Sequence, residues 1–144
     1  ADFVLACPDA YQLPLSILGE AERRASSRGS SFERVVEPRD AVRDADVVYT
    51  DVWTSMGQEG ESADRLKAFV GYQVDETLMR DAKPDAIFMH DMPAHRGKEI
   101  SEGMIDHPGS VVFDQAENRM HGQKAIVAEL FLQGRGGSRT GPKA

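Results

Sequence analysis

The chain has 144 residues and a formal net charge of −7, with 40% hydrophobic and 28% charged residues, which suits a single globular domain with a modest core. The negative charge argues against general nucleic-acid binding, and no apolar run approaches the roughly 18 residues of a membrane span. A single cysteine, Cys7, excludes an intrachain disulfide. Because no signal peptide is recognisable either, we expect a cytoplasmic protein.

Short apolar runs alternate with segments of helical periodicity along the chain. The predicted strands are Phe3–Cys7, Phe32–Val36, Asp46–Thr50, Ala86–Met89 and Ser110–Phe113. The predicted helices are Leu15–Arg28, Pro38–Arg43, Ser62–Val70, Glu76–Ala82 and Glu117–Leu132. Because parallel neighbouring strands need crossover connections, this alternation predicts an α/β fold, with a mainly parallel sheet flanked by helices in three layers.

The two ends of the chain differ in character. The first strand begins almost at once, at Phe3, so we expect the chain to be cut from something longer. Positions 133 to 144 are Gly-rich and basic and contain almost no apolar residues, which predicts a disordered tail. The domain is therefore predicted to cover residues 1–132.

Three polar segments directly follow predicted strands: 51–57, 90–97 and 114–119. Ligands of parallel α/β sheets bind beyond the carboxyl ends of the strands, so these segments are the candidate site. In the first of them, Asp51 and Ser55 can receive an ammonium group, since one supplies charge and the other an acceptor. The alternative is a surface loop in which Asp51 caps the following turn.

The second segment reads His-Asp-Met-Pro-Ala-His-Arg-Gly from His90. Its proline fixes the loop, and its arginine and imidazoles suit a phosphate or a polarised carbonyl. One alternative is a metal site of His90, Asp91 and His95, but the sequence offers no further ligand cluster, and we expect no metal. The other alternative is that His95 and Arg96 only pair with nearby carboxylates.

The third segment ends at Arg119, which the sequence places in the first turn of the last predicted helix. A cation at that end opposes the helix dipole, so its presence indicates an anion there. The alternative is a surface salt bridge between Arg119 and a neighbouring carboxylate.

Together the three segments resemble the ornithine carbamoyltransferases. Asp-Val-Trp-Thr-Ser-Met-Gly-Gln-Glu, from Asp51, resembles the ornithine-binding loop of that family. The segment from His90 resembles the family's His-Cys-Leu-Pro-Ala-His-Arg-Gly, and Asp-Gln-Ala-Glu-Asn-Arg, from Asp114, resembles its final strand and helix. The resemblance runs from about Asp2 to Leu132, and the motifs stand in the family's order and at its separations.

The resemblance implies the C-terminal, amino-acid-binding domain of a carbamoyltransferase, with a Rossmann-like fold that here lacks its first strand. The family enzyme transfers carbamoyl from carbamoyl phosphate to the side-chain amine of L-ornithine, giving L-citrulline and phosphate, and it needs no metal or organic cofactor. The resemblance also implies arginine metabolism and a homotrimer. The family's carbamoyl-phosphate domain is missing from this sequence, so we expect the isolated chain to be inactive.

The family's site roles carry over by position, with catalysis at the strand end of the second segment. Asp51, Ser55 and Met56 would bind ornithine; His90 and Asp91 would be catalytic; Asp91, Met92 and Arg119 would meet carbamoyl phosphate; Pro93, His95 and Arg96 would frame the loop.

Asp91 departs from the family, which has cysteine there. An ionised carboxylate beside the substrate amine favours the ammonium form and hinders attack, and an aspartate with a pKa of about 4 is a weak base for an amine with a pKa of about 10. We expect Asp91 to change acceptor preference or to slow the reaction. Two further functions remain open: a carbamoyltransferase for another amine, and a non-catalytic amino-acid-binding or assembly domain, which the missing phosphate loop favours.

Overall fold

The computed structural model describes residues 1–54, 57 and 59–136. Within these residues, short strands alternate with helices. The strands are Phe3–Ala6 (β1), Phe32–Val35 (β2), Val47–Thr50 (β3) and Ile87–His90 (β4). The α-helices are Leu15–Ser26 (α1), Pro38–Val42 (α2), Ser62–Ala68 (α3), Glu76–Met79 (α4) and Val112–Gly136 (α5), and short 3-10 turns cover Asp9–Tyr11, Glu59–Glu61 and Met104–Asp106. None of the described helices combines the length and the apolar character that crossing a membrane would require.

The strands form two parallel pairs, β1 with β2 and β3 with β4. In the second pair Val47 lies opposite Ile87 and Thr50 opposite His90, so both strands end at the same edge. A single parallel bridge from Phe88 to Ser110 lies on the other side of β4. The parallel pairing and the intervening helices confirm the predicted α/β class.

The predicted strand Ser110–Phe113 is wrong. Only Ser110 bridges to β4, and α5 already begins at Val112, five residues before the predicted start. The amide of Gln115 donates to the carbonyl of Val111 at 2.8 Å, which starts the helical ladder. A short apolar run does not distinguish a strand from a buried helical turn, and here Val112 is completely buried while its neighbour Phe113 is exposed.

Helix α5 also extends further than predicted at its other end. It runs to Gly136, so the first four residues of the predicted disordered tail are helical. The Gln133 side chain donates to Glu129 Oε1 at 2.9 Å, a contact one turn apart that supports the last turns. The remaining residues of that predicted tail, 137–144, lie outside the described residues.

The hydrophobic core packs around β4, and the candidate site lies at the end of that strand. Its members are buried apolar side chains from α2, β3, β4, α4, α5 and the segments between them: Val42, Val48, Val74, Leu78, Met79, Ala86, Phe88, Ile100, Met104, Ile105 and Val112. The extended residues around Ile100 are fixed by two backbone hydrogen bonds with Val74, one from the Val74 amide to the Glu99 carbonyl (2.9 Å) and one from the Ser101 amide to the Val74 carbonyl (3.0 Å). These bonds fix Glu99 in the interior beneath the end of β4.

Candidate functional site

The register of β3 and β4 places Asp51 beside Asp91. Thr50 and His90 are paired at the strand ends, and the next residue of each strand is an aspartate. One ligand atom from each of Asp51, His90 and Asp91 can be chosen so that all three lie within 4.8 Å of one another. The structure therefore brings together three of the residues that the sequence singled out.

Two carboxylates at this distance shape the electrostatics of the strand ends. Burial raises the pKa of Asp51, a hydrogen bond from the Val52 amide to Asp51 Oδ1 (2.6 Å) opposes that effect, and the negative charge of Asp91 raises the pKa further. Because like charges face each other, a cation between them is favoured. An ammonium group satisfies this arrangement, since it brings both a positive charge and hydrogen-bond donors.

The same three side chains also form the candidate metal cluster of the described residues. However, Nδ1 of His90, which lies 3.6 Å from Asp91 Oδ1, already accepts a hydrogen bond from the Met92 amide at 2.9 Å. The lone pair that a metal needs on that nitrogen is therefore occupied. This donor set fits an ammonium group better than a metal ion.

His90 is completely buried and is held by two hydrogen bonds. Its backbone amide donates to Gln115 Oε1 at 3.0 Å, and its Nδ1 accepts from Met92. The neutral ring then carries its proton on Nε2, which faces Glu99 Oε1 at 3.5 Å. Sequence reasoning missed Gln115, which also donates to the Tyr49 hydroxyl at 3.2 Å and so links α5 to both β3 and β4.

Glu99 is the second residue that sequence reasoning missed. It is completely buried, its Oε1 accepts a hydrogen bond from the His95 amide, and the same oxygen lies 3.5 Å from His95 Nδ1. Thus one carboxylate lies between His90 and His95 and holds both ends of the loop that joins them. The available signal was its position, four residues after His95 and next to the buried Ile100.

The loop after β4 has an unusual backbone and a structural arginine. The Met92–Pro93 peptide bond is cis, and Met92 has a φ of 58°. Arg96 turns away from the strand end: one guanidinium nitrogen pairs with Asp106 at 2.9 Å and another donates to the carbonyl of Glu102. Together with the contact between His95 and Glu99, these are the contacts expected from the alternative in which His95 and Arg96 only pair with nearby carboxylates.

Arg119 reaches the site from α5, but not from a first turn. Since the helix begins at Val112, Arg119 is its eighth residue, and the predicted dipole argument for an anion does not apply there. The guanidinium instead donates to the Asp91 backbone carbonyl at 3.1 Å. A cation thus lies at the same strand end as Asp91. The predicted binding residues Ser55 and Met56 lie outside the described residues.

The paired strand ends of this α/β domain gather two carboxylates, a buried histidine and an arginine, which are charged groups that suit a ligand with both an ammonium and an anionic group. Residues 1–130 match the aspartate/ornithine carbamoyltransferase Asp/Orn binding domain, and the chain belongs to this family. It is 53% identical to the ornithine carbamoyltransferase of Thermococcus kodakarensis over 128 aligned residues. The aligned region covers 89% of this chain and 41% of that protein. The chain thus spans about two fifths of the length of such relatives.

Solved structures agree with this assignment. The ornithine carbamoyltransferase of Pyrococcus furiosus superposes with a TM-score of 0.82 at 52% identity, over 89% of this chain and 41% of that one. The anabolic ornithine carbamoyltransferase of Campylobacter jejuni superposes with a TM-score of 0.84 at 36% identity, over 92% of this chain and 44% of that one. These similarities confirm the Rossmann-like α/β fold.

Proposed function

We propose that this chain is the amino-acid-binding domain of an ornithine carbamoyltransferase, which transfers carbamoyl from carbamoyl phosphate to the side-chain amine of L-ornithine. The observation that carries the proposal is the pairing of Thr50 with His90, because it sets Asp51 and Asp91 side by side at the strand ends. Membership of the family supports the same substrate class.

In this proposal the first loop binds the amino acid and the second loop meets the reacting groups. Asp51, together with Ser55 and Met56, holds the α-amino end of ornithine. Asp91 and Met92 lie where the side-chain amine meets the carbamoyl carbon. The buried ring of His90 supports that position through its bond with the Met92 amide.

The reaction moves one group and one proton. The side-chain nitrogen attacks the carbamoyl carbon, the bond from that carbon to the phosphate oxygen breaks, and its electron pair leaves with the phosphate. The attacking amine gives up a proton to Asp91, which is a weak base and whose negative charge also favours the unreactive ammonium form. Arg119, held at the Asp91 carbonyl, supplies the positive charge that binds carbamoyl phosphate and stabilises the departing anion.

The rest of the enzyme also belongs to the proposal. A carbamoyl-phosphate domain supplies the phosphate-binding half of the active site, and a homotrimer in the cytoplasm, serving arginine metabolism, is the expected assembly. The chemistry needs neither a metal nor an organic cofactor, because cationic side chains stabilise both developing anions. The lack of the domain's first strand in this chain stays part of the same proposal, whereas the predicted boundary at residue 132 falls inside α5, which runs to Gly136.

The test measures citrulline formation by the complete protein that contains this domain, with carbamoyl phosphate and L-ornithine. We expect turnover by the complete protein and none by the 144-residue chain. We expect Asp51→Asn to lower kcat/KM for ornithine by about 10- to 100-fold, the loss of one charge-assisted hydrogen bond. The matched control is Asp64→Asn, since Asp64 is 79% exposed on α3 and pairs with Lys67. The kcat/KM of this variant should stay within about twofold of the unchanged protein.

Three results would contradict the proposal in different ways. No citrulline from the complete protein would exclude ornithine as the acceptor, and turnover of putrescine alone would assign another amine. An equal fall in kcat/KM for ornithine in Asp51→Asn and Asp64→Asn would show that Asp51 does not bind the substrate. Citrulline formation by the 144-residue chain would show that the second domain is dispensable.

A further inference from the structure

Arg65 joins the two ends of the segment that follows β3. One guanidinium nitrogen, Nη1, donates to the carbonyl of Trp53 at 3.3 Å. Another, Nη2, lies 3.1 Å from Glu61 Oε2, and Nε donates to the same oxygen at 3.2 Å. The Arg65 side chain is only 18% exposed, whereas that of Glu61 is 64% exposed. The guanidinium is therefore largely shielded from solvent on the side of Trp53, while its ion pair with Glu61 is open to solvent.

The same guanidinium is stacked on an aromatic cluster. Its central carbon lies 4.8 Å from the centre of the Tyr11 ring. Tyr11 and Trp53 both contact Phe69, with ring centres 5.4 and 5.6 Å apart, and Tyr72 packs against Phe69 from another side. Since Tyr11 lies in the segment after β1 and Trp53 in the segment after β3, this cluster packs both segments against Phe69, the residue that follows α3.

We propose that Arg65 is a positioning residue for amino-acid binding: it fixes both stems, Trp53 and Glu61, of the segment that carries Ser55 and Met56. The proposal rests on the function proposed above for that segment. Arg65 makes its contacts with protein groups, so it acts through the stems and not on the reacting atoms.

The physical effect is preorganisation. If the stems Trp53 and Glu61 were mobile, binding of the amino acid would have to order them. The conformational entropy lost in that ordering would weaken the affinity for the amino acid. The reacting groups at Asp91 and Arg119 belong to other segments, so the chemical step should change little. Only arginine combines a planar fork for two acceptors with a face that stacks on tyrosine, so lysine should rescue the function only in part.

The first measurement uses the 144-residue chain and its only tryptophan, Trp53. We expect Arg65→Met to shift the fluorescence emission of Trp53 to longer wavelength and to raise its quenching by acrylamide about twofold or more. In Arg65→Lys, emission and quenching should both lie between those of Arg65→Met and those of the unchanged chain. The matched control is Lys67→Met, because Lys67 is 80% exposed on the same helix and pairs with Asp64. Unchanged Trp53 emission and quenching in Arg65→Met would overturn the proposal.

The second measurement uses the complete protein and separates KM from kcat. We expect Arg65→Met to raise KM for L-ornithine about tenfold, as the loss of hydrogen bonds to a charged group implies, while kcat and KM for carbamoyl phosphate stay within about twofold. A fall in kcat at unchanged KM for ornithine would contradict a positioning role. If Arg65→Met does not fold, the same comparison of KM for L-ornithine with kcat is made on Arg65→Lys.

The two measurements also keep this proposal apart from the function on which it rests. If the complete unmutated protein forms no citrulline, the proposed function fails. The Trp53 measurement still reports whether Arg65 holds the stems, because it requires no substrate.

Discussion

The carboxylate of Glu99 faces the imidazole of His90 in the interior of the domain. Glu99 Oε1 lies 3.5 Å from His90 Nε2, and both side chains are completely buried. The same oxygen accepts a hydrogen bond from the His95 amide. A buried carboxylate is costly unless partners replace water. Oε1 has such partners, whereas Oε2 has no hydrogen-bond partner among the described residues, so the burial of Glu99 depends on the loop after β4.

Glu99→Ala should therefore destabilise the chain. The substitution leaves the His95 amide without its acceptor and His90 without its buried partner, and we expect the free energy of unfolding to fall by about 2–3 kcal/mol. Glu99→Gln keeps an acceptor oxygen and should cost less. Urea denaturation followed by circular dichroism measures both variants.

A nearby exposed glutamate provides the control. Glu102 uses its backbone carbonyl, not its side chain, to bind Arg96, so Glu102→Ala should change the free energy of unfolding by less than about 0.5 kcal/mol. Equal stability of Glu99→Ala and Glu102→Ala would show that the buried contacts of Glu99 contribute nothing to the fold.

The sequence predicted the strand ends well but not the residues beneath them. A buried apolar run followed at once by a polar residue marks the end of β3 at Asp51 and of β4 near His90, and parallel pairing then brings the two ends together. No comparable pattern surrounds Glu99, because a lone glutamate among charged neighbours is predicted to be exposed to solvent. Its burial depends on His90 and His95, which are adjacent to it only in the folded chain.

The start of α5 was mispredicted for a similar reason. The run Val111-Val112-Phe113 suits a strand as well as a helical turn, and tertiary packing decides the matter by burying Val112 and exposing Phe113. The earlier start moves Arg119 out of the first turn. Its contact with the Asp91 carbonyl thus comes from the packing of α5 on β4, which local sequence patterns do not report.

The coupling of Asp51 to Asp91 predicts a pH dependence. Burial and the charge of Asp91 raise the pKa of Asp51, so in the folded chain this carboxyl binds a proton at pH values where the unfolded chain has lost it. Its stabilising contribution is therefore complete below the unfolded pKa and is lost as the pH rises through the folded pKa. Asp91→Asn removes the negative charge that is one cause of the raised pKa, so the pH range between the unfolded and folded pKa values of Asp51 becomes narrower.

We therefore expect Asp91→Asn to lower the pKa of Asp51 toward its ordinary value of 3.8. Carbon-13 NMR titration of the aspartate carboxyls in the 144-residue chain measures this shift directly. Asp64→Asn is the control and should leave the pKa of Asp51 unchanged, since Asp64 pairs with Lys67 on α3. A pKa of Asp51 that stays constant or rises in Asp91→Asn would show that the two carboxylates are not coupled.

Asp91→Cys tests the departure from the family motif at the position nearest the proposed chemistry. An ionised Asp91 stabilises the ammonium form of the side-chain amine, which cannot attack, whereas a neutral thiol does not. In the complete protein we expect Asp91→Cys to raise kcat for ornithine about tenfold near neutral pH. Asp91→Asn, which removes the charge without adding a thiol, separates the effect of charge from that of cysteine. Unchanged ornithine turnover and affinity in Asp91→Cys would mean that Asp91 affects neither rate nor acceptor preference.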